Sequence, residues 1–232
     1  MVSFTVLDTV ENTDGSVGRQ LSSMCIKYPV IAQGVMIWAK EVASGSEFIN
    51  TAGYPTISPC ILSLARLVCL YHPLARPAVL DLALIFLGHS NREISHQKMQ
   101  SIKEQCLRLM LWMSTQGLSL AVISALQNKL HKGGTSEIDS ALIRYFVSGM
   151  LDIVQPPLSL PFVQAFGSFL MERPCMNALQ SQHFEARRKA QIVKLMKHFD
   201  AALADSQILT DAPLEDDSLL VSTLKSTYSS AM

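Results

Sequence analysis

From Arg19 to about Asp205 the chain repeats one pattern, an apolar run of helical length opened by Ser or Pro and closed by Gly or Pro. Such punctuation predicts helices joined by short corners. The first runs are RQLSSMCIKY and PVIAQGVMIWAKEVAS. In the second, Val30, Val35, Trp38 and Val42 fall near helical spacing and Gly45 supplies a stop. Ser44 to Ile57 reads as a loop. Ser58 and Pro59 then predict the N-cap and first turn of PCILSLARLVCLYH, a run apolar nearly all round with Arg66 its only charge. That composition suits a helix buried between neighbours. Pro73 and Pro77 separate it from PAVLDLALIFL, which Gly88 closes.

Ser90 with Glu93 fits a capping box leading into EISHQKMQSIKEQCLRLMLWMSTQ. There Met99, Ile102, Cys106, Leu109, Met110 and Met113 recur at three and four, with Lys98, Lys103, Glu104 and Arg108 largely on other faces. Gly117 ends that helix. LSLAVISALQNKLHK follows, stopped by Gly133 and Gly134, and Ser136 with Asp139 marks the next start. Ile138, Leu142, Tyr145, Phe146, Met150 and Val154 form one stripe before Pro156 and Pro157. LPFVQAFGSFLMER predicts a short helix, and Asn177 to Asp205 a long one with Ile192, Leu195, Met196, Phe199 and Leu203 as its stripe. The expected fold is all-α: antiparallel helical hairpins stacked as a HEAT-like α-solenoid array, SFTVLDTV being the one strand-like stretch. No sequence period is visible, so any repeat is structural. Three regions are expected: an N-terminal segment, 1–18; a helical-repeat domain, 19–205; and an acidic linker with a short C-terminal helix, 206–232.

Composition sharpens this picture. The 232 residues are 49% hydrophobic, enough for a large core. Only 16% are charged and the net charge is zero, which gives no overall field for phosphate backbones. Low charge with high apolarity points to surface covered by partner proteins, as in a subunit. Five scattered cysteines inside apolar runs read as reduced core residues of an intracellular protein. Ile153 to Met171 lacks charge, but its prolines and glutamines argue against a membrane span.

Candidate chemistry is sparse. The sequence holds no Cys-x-x-Cys, no His-Glu-x-x-His and no Gly-rich phosphate loop. His89 and His96 are seven apart with a helix start between them, which disfavours a shared metal-binding face. No catalytic residue, cofactor site, metal site or small-molecule substrate is assigned, and the chain is read as non-enzymatic. Trp38, Trp112 and the methionines read as core filler. In HFEARRKAQIVKLMKHF, Arg187, Lys194 and His198 lie near one helical meridian with Lys197 beside it. Arg187, Lys194 and Lys197 are the candidate contact for RNA or an acidic partner, weighed against an ordinary solvated face.

Three segments carry a resemblance in order: MCIKYPVIAQGVMIWAKEV, CLYHPLARPAVLDLALIFL and IDSALIRYFVSGMLDIVQPPLSLPFVQAF. Over about Leu21 to Leu170 the chain resembles the C-terminal part of the negative elongation factor C/D subunit family, and DSLLVSTLKSTY resembles that family's C-terminal end. The family's chains are much longer, so a fragment, a truncated reading of a gene or a reduced form is expected. Glu172 to Asp205 look unlike the family and read as an insertion. The resemblance implies a nuclear, HEAT-like scaffold that joins the A and B subunits and helps hold RNA polymerase II paused. A generic helical-repeat adaptor unconnected with transcription and a small helical enzyme are the competing readings.

Overall fold

The computed structural model describes residues 16–133, 138–154, 158–180, 188–193 and 197. Among them are ten α-helices and no strand: α1 (Ser16–Lys27), α2 (Pro29–Ser44), α3 (Ser46–Ile49), α4 (Tyr54–Tyr71), α5 (Arg76–Gly88), α6 (His96–Met113), α7 (Ser119–Gly133), α8 (Ser140–Ile153), α9 (Leu160–Met171) and α10 (Arg173–Gln180). The all-α expectation holds. SFTVLDTV lies outside the described residues.

Two compact units are present, residues 1–110 and 111–232. In the first, α2 lies against α5 and α1, and α4 against α5 and α1. The buried face of α2 is Ala32, Met36, Ala39 and Ala43. Three alanines let the α2 backbone approach its neighbours closely, as ridge-into-groove packing requires when side chains are short. The stripe read from sequence, Val30, Val35, Trp38 and Val42, is not that face: Val30 is 80% exposed and the other three are half-buried. Helix α2 is therefore apolar on two sides, of which only one is packed.

Helix α4 begins five residues earlier than its Ser-Pro signal indicates, at Tyr54 rather than Pro59. Gly53 stands at its N-cap, Pro55 falls in its first turn and Pro59 lies inside. Pro55 serves the N-terminal role assigned to Pro59, because either ring presets the helical φ and no amide is needed there. Ser58 is fully buried and its hydroxyl donates back to the Tyr54 carbonyl at 2.6 Å. The stretch read as a loop also contains α3, whose Phe48 is buried and packs edge-on to Tyr54 with ring centroids 5.2 Å apart.

His89 closes this corner. Its Nε2–H donates to the Ala43 carbonyl and its Nδ1 accepts from the Tyr54 hydroxyl, both at 2.9 Å. A carbonyl can only accept, which fixes the tautomer. The capping box at Ser90 and Glu93 does not form. Asn91 instead accepts from the Glu93 amide at 2.8 Å and donates to the Ile49 carbonyl at 2.8 Å. Helix α6 starts at His96, with the Ser95 hydroxyl receiving the Lys98 amide at 3.4 Å. All six residues of its expected stripe are buried, and Lys103 is buried as well.

Gly117, at φ +83°, breaks the chain between α6 and α7, a conformation natural to glycine. In the second unit α7 lies against α9, and α8 against α10. Asp139 is itself the N-cap of α8, its carboxylate accepting the Leu142 amide at 2.8 Å. Phe146 and Phe169 meet edge-on at 5.6 Å. Gln127 and His131 of α7 both reach the Glu172 carboxylate, each at 2.9 Å.

The runs Tyr54–Tyr71 and His96–His131 are long and apolar enough to cross a membrane by length and composition. Each is also a packing element: α4 buries Ile57, Ile61, Leu62 and Val68 within its own unit, and Gly117 interrupts the second run.

Candidate functional site

The unpacked faces of α1, α2 and α4 converge on an open groove of about 920 Å³. Leu21 and Ile26 come from α1, Val35 and Trp38 from α2, and Leu64 and Leu67 from α4. Val35 and Trp38, and likewise Leu64 and Leu67, are three apart and so share one face of their helices. Arg19 stands in its wall, the one charged lining residue among those described, and Cys60 lies in the wall with its side chain exposed. Its size and apolar lining are those of surfaces that receive apolar segments of other molecules. The sequence displayed its α2 stripe but not the fact that the stripe stays open.

A second apolar surface lies on the two corners of the same unit. Leu74 is 98% exposed, and Tyr28, Val30, Leu70 and Tyr71 are all more than half exposed. His72 joins the corners, its Nε2–H donating to the Cys25 carbonyl at 2.5 Å. Proline, at 29 and 73, turns the chain at both places and leaves these side chains outward.

Chemistry is thin at both surfaces. No three His, Cys, Asp or Glu side chains gather among the described residues. Burial raises the thiols of Cys25, Cys69, Cys106 and Cys175 above their ordinary value, which keeps them protonated and unreactive. For Cys69 the nearby Arg76 works against that rise, and for Cys175 Glu172 adds to it. His89 is engaged in packing and hydrogen bonds, as described above.

Of the basic candidates, Arg187 and Lys194 lie outside the described residues, and Lys197 is exposed. Arg188, not singled out by sequence, forms a two-pronged pair with Asp152 of α8 at 2.5 and 2.9 Å, and Ile192 is fully buried nearby in sequence. This stretch is thus attached to the second unit through a planar guanidinium fork, a geometry lysine cannot supply.

A family model described as TH1 protein matches residues 9–202. The chain belongs to the TH1 family. Negative elongation factor D of Mus musculus is 31% identical over 142 residues, 61% of this chain and 23% of that protein. Negative elongation factor D of Sus scrofa is 30% identical over 142 residues, with the same coverage. The matched part spans about a quarter of the length of these curated relatives. The TH1 match runs past Leu170 to residue 202, so residues 172–202 lie within the matched range.

Proposed function

We propose that this chain is a non-catalytic scaffold subunit of a negative elongation factor type assembly. It acts in the nucleus, binds the A and B subunits and contributes to holding RNA polymerase II in a paused state. The observation that carries the reading is the TH1 match across 9–202 together with the likeness to negative elongation factor D. Physical support comes from the first unit, which presents an apolar groove and an exposed apolar corner. In this reading residues 19–205 stack as HEAT-like hairpins and need no cofactor or small-molecule substrate.

The test is co-purification of the tagged full chain from nuclear extract, followed by identification of the partners. Recovery of the A and B subunits at stoichiometric level is expected. Their consistent absence overturns the proposal and leaves a helical adaptor unconnected with transcription. Leu74→Asp supplies a finer probe, because a side chain 98% exposed contributes almost nothing to folding. It is expected to lower recovery of a partner while leaving the circular dichroism spectrum unchanged.

A further inference from the structure

The two corners of the first unit stand side by side. His72 donates to the Cys25 carbonyl across them, and the turn Pro73–Ala75 lies against α2. Tyr28, Val30, Leu70, Tyr71 and Leu74 point outward there, each more than half exposed. The sequence that builds this end is free of carboxylates: residues 16–40 and 48–80, which supply α1, most of α2, α4 and the turn, contain no Asp or Glu. Acidic side chains of the unit are gathered towards the other end of α2. Asp81 is held by Lys40 at 2.8 Å, and Glu41 and Glu47 flank the last residue of that helix, Ser44. From Pro29 to Glu41 the helix axis runs about 18 Å at ~1.5 Å per residue. Lys27 is exposed at the first corner. Arg76 stands at the second, its Nε donating to the Cys69 carbonyl at 3.4 Å, a bond that leaves the guanidinium charge intact.

We propose that this corner receives an acidic segment of another protein, one that carries apolar anchors between Asp or Glu residues. Leu74 and Val30, with the two tyrosine rings, offer apolar area for the anchors to cover. Lys27 and Arg76 at the rim attract the flanking carboxylates and repel a basic segment, and the stretches around them supply no carboxylate to offset that preference. The same balance decides between classes of partner. Aliphatic side chains such as Leu74 and Val30 give a nucleic-acid base neither a stacking face nor a hydrogen bond. Charge-driven attachment to an anionic membrane takes a cluster of about 4–8 Lys or Arg, which Lys27, Arg66 and Arg76 do not make. The inference rests on the reading of the chain as an interaction module and not on which assembly it joins.

The probe is a fluorescein-labelled synthetic helix of about 16 residues with Leu at i, i+3, i+4 and i+7 and Glu on the flanks, titrated with the full chain and followed by anisotropy. Saturable binding at about 0.15 M salt is expected. The same helix with every Glu replaced by Lys should bind about tenfold more weakly, and one with every Leu replaced by Ser should not bind. Leu74→Ser changes a side chain that is 98% exposed, so the fold is kept, and it should weaken the acidic helix about tenfold. Lys27→Glu should weaken it about threefold and strengthen the lysine helix by a similar factor. Equal affinity for the two charged helices, no binding of the acidic one, or Leu74→Ser without effect overturns the proposal. So does Leu74-dependent binding of oligouridine or of phosphatidylserine vesicles in place of the acidic helix. Failure to recover the A and B subunits from nuclear extract leaves these titrations untouched, so the two readings fail separately.

Discussion

Removing a single hydroxyl tests how the first unit is held together. Tyr54 is fully buried, and its hydroxyl donates to His89 Nδ1, whose ring in turn holds the Ala43 carbonyl at the end of α2. In Tyr54→Phe the ring contacts with Phe48 and Phe86 persist, so little apolar burial changes. What is lost is one hydrogen bond, worth a net ~1 kcal/mol, and the His89 acceptor is orphaned at a further cost of about 1–3 kcal/mol. His89 is half-buried, so water can reach part of the imidazole and the lower end applies. The expected destabilisation is therefore about 1–2 kcal/mol. Trp38 belongs to the first unit and Trp112 to the second, so a Trp112→Phe background lets tryptophan fluorescence report the first unit alone. At a urea slope of about 1–3 kcal/mol per molar, the midpoint should fall by roughly 1 M. A double-mutant cycle with His89→Leu should show coupling of about 1 kcal/mol. Unchanged midpoint in Tyr54→Phe, or zero coupling, would refute the bridging role.

Other expectations follow the same logic. A Cβ added at Gly149 would collide with the Leu111 side chain, so Gly149→Val should destabilise the second unit by about 1–3 kcal/mol. Leu111→Ala in the same chain should recover part of that loss in thermal unfolding, and failure to recover would place the strain elsewhere. Native-state alkylation at neutral pH should label Cys60 alone, with all five cysteines labelled after denaturation; raising the pH towards 9 should not recruit Cys106 or Cys175, whose thiols burial holds protonated. Replacing Arg187, Lys194 and Lys197 together by Glu should abolish salt-sensitive retention on single-stranded RNA if that face is a nucleic-acid contact, and unchanged retention assigns it to solvation.

Much of the fold was legible where one face of a helix differs sharply from the rest. The α6 stripe from Met99 to Met113 is buried as its spacing requires, and Leu142, Phe146 and Met150 do the same in α8. Helix ends were read less well. Ser58-Pro59 and Ser90 with Glu93 are sound local start signals, yet Gly53-Tyr54-Pro55 and Ser95 mark the actual starts. Competing caps differ by about 1 kcal/mol, which the burial of Tyr54 and Phe48 outweighs.

Periodicity and punctuation in this chain determined that it is helical and how α6 and α8 are striped, because those depend on interactions within a few residues. Which side of α2 is packed could not be read in that way. The larger residues Val35 and Trp38 advertise a core face, but close approach of helices favours Ala32, Ala39 and Ala43, and the larger ones are left lining a groove. The meeting of Tyr54, His89 and Ala43, and of Arg188 with Asp152, joins residues 35 to 46 apart. Such contacts depend on the relative placement of whole helices, and so belong to the tertiary structure alone.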